Sequence, residues 1–188
     1  MRKIETLEYP ISGEDKATAR LAEFLALECG ICPSMAEKIR IAAALHDLGK
    51  QKIPASILNK PGKLSPKEYS VLKTHTTLGA EMLASIQGEL GVMARATALY
   101  HHEYYDGSGY FGKRTEELPF YLPIVTISDK FIALIVRRPY KKAWTKADAL
   151  SYIQGQAGKR FNPALVEVFL SLMRRDDRVS AALFDLRK

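Results

Sequence analysis

Three observations predict an all-α, single-domain helical bundle. Apolar residues recur at three- and four-residue steps along most of the chain, the two-residue alternation of strands is nearly absent, and proline, glycine and capping residues punctuate the helical stretches. The 188 residues suffice for one substantial domain and fall short of two ordinary ones. With no repeats and no low-complexity linkers, 1–188 is read as one unit.

Taken in order, the first helix is expected over about 15–29, where Leu21, Phe24, Leu25 and Glu28 fall at helical steps. Gly30 reads as the residue just past its end and Pro33 as the opening of the next helix. Ser34 is a candidate cap for that second helix, which runs through Ile39, Ile41 and Ala42 to Leu45 and ends near His46, Asp47 and Gly49. The stretch 54–58 reads as a short helical turn, and Pro61-Gly62 as a break. Ser65, Pro66 and Glu68 combine a capping box with proline at the first helical position. Further helices are expected over about 78–85 and 90–102, followed by a turn at Asp106-Gly107-Ser108-Gly109. Beyond Pro119 a long apolar helix carries Ile124, Ile127, Phe131, Leu134 and Ile135; Thr145 and Asn162-Pro163 open two more.

Composition narrows the function. A hydrophobic fraction of 47% and a charged fraction of 26% suit a soluble globular chain. No run of eighteen apolar residues occurs, so no membrane span is expected. The start, Met1 to Glu5, lacks the apolar core of a signal peptide, and the expected compartment is the cytoplasm. A net charge of +7 favours an anionic partner. Basic residues gather at Arg137, Arg138, Lys141 and Lys142 and at Arg174 and Arg175, without an arginine-rich tail or stacking module. A small phosphorylated ligand therefore fits better than polymeric nucleic acid. Cys29 and Cys32 have the spacing of a redox pair, but with no second pair and no preceding strand they read as a helix boundary. No attached input segment is evident, so regulation is expected from expression, a separate signalling partner or oligomerisation; the oligomeric state is left open.

All four histidines, His46, His75, His101 and His102, fall in one pattern with Asp47 and the downstream Asp129. Imidazole is the commonest protein metal ligand, and these residues read as one metal site assembled from several helices. Neighbours on an ideal helix point about 100° apart, but at a frayed end both can reach one ion. Imidazole with carboxylate suits Fe, Mn, Zn or Ni. Five or six such donors exceed the three that a catalytic zinc takes and suit two divalent ions sharing a carboxylate. Two ions about 3.5–4 Å apart would activate a bridging hydroxide for in-line attack on a phosphodiester. Lys50, three residues beyond Asp47, offers a cation for phosphate charge; its alternative is a solvated lysine at a helix C-terminus.

On these residues the chain resembles the HD-GYP branch of the HD-domain metal-dependent phosphohydrolases. The likeness is carried by the segments from Leu45 to Lys50, His75 to Gly79, His101 to Tyr110, Ser128 to Phe131 and Arg138 to Lys141, with 53–64 similar to the connecting stretch. It runs from about residue 15 to about 171. It implies a bundle of the HD-domain type with a binuclear, sometimes trinuclear, iron or manganese site that hydrolyses cyclic di-GMP. By position it implies Asp47 as bridging ligand, His46 and Asp129 on one ion, and His75, His101 and His102 on the other. It further implies that Arg138 and Lys141 contact the substrate's phosphates or bases and that Tyr110 lines the pocket. Asp47 and Lys50 are the residues assigned to catalysis.

Three departures stand out. Gly109-Tyr110-Phe111 replaces Gly-Tyr-Pro, freeing the loop backbone. Glu14 falls where a ligand histidine is usual, with Asp15 as the alternative if the register shifts by one; a carboxylate there favours harder ions. Ile132 stands where an aspartate is usual, removing a polar partner for substrate. Three readings follow: a cyclic dinucleotide phosphodiesterase, a degenerate domain that keeps metal and serves as a cyclic dinucleotide-binding or protein-interaction module, or a phosphohydrolase for another nucleotide.

Overall fold

The computed structural model describes residues 11–136 and 143–175. Helix α1 (Gly13–Glu28) opens on a capping box: the Ser12 hydroxyl accepts from the Asp15 N–H at 3.1 Å, and the Asp15 carboxylate accepts from the Ser12 N–H at 3.2 Å. That pair fixes the register of the first turn. Past its end, Gly30 takes φ +78°, a left-handed conformation that glycine adopts without strain. Helix α2 (Pro33–Ala44) begins on its proline, and the cap is Cys32 rather than Ser34. The residue before a proline is pushed to extended backbone, here ψ 149°, which is the cap conformation; Ser34 already lies inside the helix. Both cysteines are free thiols at the surface.

Helix α2 unwinds through Leu45–Asp47 into a 3₁₀ turn, Leu48–Lys52, followed by α3 (Ala55–Leu58). Helix α4 (Pro66–Lys73) has the expected Ser65–Glu68 capping box. Helix α5 (His75–Met82) starts three residues earlier than the sequence pattern suggests, because Thr74 alone separates it from α4. Helix α6 (Gly88–Tyr100), a short 3₁₀ turn (Thr115–Glu117), α7 (Leu122–Ile135), α8 (Lys146–Gly155) and α9 (Pro163–Arg175) complete the order. Among the described residues there is no strand, only one isolated bridge between Ala157 and Phe161. No described helix is long and apolar enough to cross a membrane.

Helix α7 is the axis of the core. It buries Leu122, Ile124, Val125, Ile127, Phe131 and Ile135 and packs against α1 and α8, with Phe131 edge-on to Phe169 of α9 at 5.3 Å. Full burial of such a side chain stabilises by about 1.5–3 kcal/mol. Ile132 is 1% exposed within this core. The position expected to face substrate is thus a packing position, and isoleucine satisfies it. A second contact sets the site: the Leu48–Lys52 turn and α5 meet backbone to backbone. A Cβ on Gly49 would stand 1.9 Å from the His75 carbonyl oxygen, and one on Gly79 3.2 Å from the Gly49 nitrogen.

Candidate metal centre

Five helices or helix ends aim donors at one point. Asp15 comes from the first turn of α1, His46 and Asp47 from the unwound end of α2, and His75 from the start of α5. His101 and His102 follow α6, and Asp129 lies midway along α7. His46 Nε2 is 3.3 Å from Asp47 Oδ2, 3.5 Å from Asp129 Oδ1 and 4.0 Å from Asp15 Oδ1. The other oxygen of Asp47, Oδ1, is 3.3 Å from His75 Nε2 and 3.6 Å from His101 Nε2. The His102 ring lies 4.1 Å from that of His101 and 5.2 Å from that of His75. Two donor groups result: Asp15, His46 and Asp47, and Asp47, His75, His101 and His102, each with its donor atoms within 4.8 Å of one another. Asp47 belongs to both and turns one oxygen to each.

The histidines are oriented by the backbone. His46 Nδ1 donates to the Ala43 carbonyl at 2.7 Å, His75 Nδ1 to Leu72 at 2.7 Å, and His101 Nδ1 to Thr97 and Ala98 at 3.0 and 3.1 Å. A carbonyl only accepts, so Nδ1 carries a proton and Nε2 is the ring atom that faces the cluster, the orientation that metal-ligating histidines use. His46 Nε2 and Asp47 Oδ1 are buried without a hydrogen-bond partner. Buried polar atoms left unpaired cost free energy. Converging imidazole and carboxylate donors with such orphaned atoms fit a cation.

The electrostatics sort the donors by charge. Burial pulls the pKa of His46 down, but the carboxylates of Asp47 and Asp129 outweigh it and hold the imidazole well above its ordinary value. Burial would raise Asp47, yet His46 and Lys50 hold it well below the usual carboxylate range. Asp129 is held low against its own burial by His46. Burial, and then the neighbouring His101, push His75 down to about 4 and His102 well below its ordinary value. At neutral pH, His75, His102 and Asp47 are therefore in the deprotonated states that metal ligation requires.

All of His46, Asp47, His75, His101, His102 and Asp129 converge as their sequence pattern suggests. Glu14 does not join them; Asp15, one position on, does. The Ser12–Asp15 capping box explains the register, since one residue along a helix rotates a side chain by about 100°. Glu14 instead lines an adjoining cavity of about 210 Å³ together with Asp15, Asp47, Lys50 and Gln51. Lys50 donates to Asp47 Oδ2 from the rim of this cavity. Tyr110 stands over the second donor group, its ring 4.6 Å from His102 and 6.5 Å from His75. Phe111 is 46% exposed and rests edge-on against Tyr100 at 5.8 Å. Arg138 and Lys141 lie outside the described residues.

Sequence reasoning passed over Glu103. It is 3% exposed, and its carboxylate accepts from the N–H groups of Phe111 at 2.8 Å and Lys113 at 2.7 Å. The loop carrying Tyr110 is therefore pinned from beneath, and it packs so closely that a Cβ on Gly109 would lie 2.5 Å from the Glu103 Cα. Glu103→Ala is expected to destabilise the chain by about 2 kcal/mol, the scale of hydrogen bonds to a charged group, lowering Tm by roughly 4–8 °C. Thermal melts check the stability, and amide exchange at Phe111 and Lys113 should accelerate; unchanged exchange would show that another group holds the loop.

Comparison with known proteins supplies independent findings. The family model described as HD domain matches residues 3–165. The cyclic di-GMP phosphodiesterase response regulator RpfG of Xanthomonas campestris pv. campestris is 40% identical over 173 residues, covering 90% of this chain and 46% of that protein. The 3'3'-cGAMP-specific phosphodiesterase 2 of Vibrio cholerae is 35% identical over 175 residues, covering 89% of this chain and 34% of that protein. The chain thus spans less than half the length of these curated relatives. Among solved structures, Bd1817, an HDG"Y"P protein from Bdellovibrio bacteriovorus, has TM-score 0.71 at 18% identity over 90% of this chain and 54% of that one, a likeness of fold.

Proposed function

The chain belongs to the HD-domain family, and on that premise we propose that it is a metal-dependent phosphodiesterase acting on a cyclic dinucleotide. The observation that carries the reading is Asp47, whose two oxygens serve two donor groups. In this reading Asp15, His46, Asp47 and Asp129 hold one divalent ion, and Asp47, His75, His101 and His102 hold the other. Mixed imidazole and carboxylate donors suit Fe or Mn, with Zn and Ni compatible. Bound there, the ions would acidify water at the site and neutralise phosphoryl oxygens.

The chain's own residues supply the rest. Backbone carbonyls behind His46, His75 and His101 hold each Nδ1–H and keep each Nε2 aimed at the cluster. Lys50 sits at the cavity rim with its ammonium beside Asp47, positioned to meet charge developing on a phosphate. Tyr110 walls the site over His102 and restricts how a substrate lies across the second donor group. The net charge of +7 favours approach of an anion. Arg138 and Lys141 complete the proposed substrate contacts on sequence grounds. Cyclic di-GMP is the first substrate to try, after the activity named for the Xanthomonas relative, and 3'3'-cGAMP the second, after the Vibrio one.

The test is direct. Chain loaded with Mn(II) or Fe(II) is incubated with each cyclic dinucleotide, and linear product is followed by chromatography. Product that appears with metal and vanishes with a chelator supports the proposal. A metal-loaded chain that binds the dinucleotide without cleaving it points to the binding-module reading, and one that neither binds nor cleaves it overturns both.

A further inference from the structure

Tyr110 touches more than the histidines. Its ring meets that of Tyr69, on α4, edge-on at 6.3 Å and 84°. Lys73, four residues along the same helix, holds its Nζ 5.8 Å from the Tyr69 ring centroid and 5.5 Å from that of Tyr110. Positions i and i+4 share one helix face, so α4 itself sets this pair side by side. Aromatic rings therefore step outward from the donor cluster, 6.5 Å from His75 to Tyr110 and 6.3 Å from Tyr110 to Tyr69. The outermost ring is open: Tyr69 is 45% exposed.

The chemistry of this ledge is specific. An exposed ring offers a stacking face to a nucleobase. An ammonium held over ring faces within about 6 Å is stabilised by them yet keeps its N–H donors for an anion. Lys73 forms no salt bridge with any described residue, and its ammonium lies over the two rings. Its place in the last turn of α4 would favour any cation through the helix dipole. The dipole does not account for its position over both tyrosines. A cyclic dinucleotide with one phosphodiester at the ions must lay its other base and phosphate to one side.

We propose that Tyr69, Lys73 and Tyr110 form a subsite for the second nucleotide unit of a dinucleotide, with the base on Tyr69 and the remaining phosphate at Lys73. The subsite rests on the dinucleotide reading of the preceding section and adds the residues that distinguish such a substrate from a simple diester. Pinning of the Tyr110 loop by Glu103 holds one wall in place before any ligand arrives.

The test uses the full metal-loaded chain, with cyclic di-GMP and, separately, bis(p-nitrophenyl) phosphate, a diester with no second nucleotide. Tyr69→Ala and Lys73→Met are each expected to weaken cyclic di-GMP binding about tenfold in equilibrium dialysis, the scale of one lost stacking or phosphate contact. The preference in kcat/KM for cyclic di-GMP over the simple diester should fall by a similar factor. Tyr69→Phe keeps the stacking face and should retain affinity, and Lys67→Ala, an exposed position of the same helix, controls for α4. Wild-type affinity in both variants, or equal losses on both substrates, overturns the subsite. So does a wild-type chain that does not bind cyclic di-GMP. A wild-type chain that binds cyclic di-GMP but cleaves neither substrate overturns the hydrolase reading alone, because dialysis still decides the subsite.

Discussion

Replacing Asp47 by alanine is expected to abolish the proposed binding of two ions and the proposed hydrolysis. Asp47 Oδ2 faces His46 at 3.3 Å while Oδ1 faces His75 and His101 at 3.3 and 3.6 Å, so no other described residue completes both donor groups. Loss of a group that merely orients a ligand typically costs 10–100-fold in metal affinity; loss of a shared ligand should exceed about a hundredfold. The measurement is metal content after dialysis against a competing chelator, together with turnover. His75→Ala provides the contrast, since it touches one group and leaves Asp15, His46 and Asp129 in place. Two ions retained in Asp47→Ala would rule out the shared role. Asp47→Asn keeps the side-chain volume, and its metal-free melt separates lost ligation from a lost fold.

Gly49→Ala is the second large effect, and it acts through the backbone. The added Cβ would stand 1.9 Å from the His75 carbonyl oxygen and 2.5 Å from the Gly79 nitrogen, both main-chain atoms. No rotamer relieves such a contact; α5 must move off the Leu48–Lys52 turn and carry His75 away from Asp47. Overpacking typically costs 1–3 kcal/mol, and a clash of backbone against backbone belongs at the top of that range, about 3 kcal/mol. Tm should then fall by roughly 6–12 °C, and metal affinity should drop although no ligand has been changed. Gly79→Ala meets its neighbours only at 3.2 and 3.3 Å and should be clearly milder. Equal melts for the two variants would mean that α5 is not wedged as described.

How far the sequence leads depends on whether the controlling interaction is local. Caps are local, and Ser65–Glu68, Gly30 and Pro33 mark helix ends where the structure has them. The clustered histidines are legible because their residue type is scarce and their spacing distinctive. The start of α5 is not legible: with Thr74 as the sole joint, the α4 pattern runs on into the next helix. Glu14 and Asp15 look equivalent until the first turn of α1 has a register, which the Ser12 cap supplies. Glu103 resembles any acid after two histidines, since its partners are loop N–H groups that no side-chain pattern announces. Ile132 looks like a lost substrate contact only while the facing direction of α7 is unknown; in the fold it is core. Tyr69 and Lys73 gain meaning only when the Tyr110 loop folds back over α4.

The acceptors behind His46, His75 and His101 are main-chain oxygens of Ala43, Leu72, Thr97 and Ala98, each three or four positions earlier in its own chain segment. A peptide oxygen survives every side-chain replacement. A genetic screen would therefore register the imidazoles and overlook the atoms that steer them, and those four codons can drift as packing allows without misaligning a ring. Only a change that bends the helix, such as proline, would reveal them.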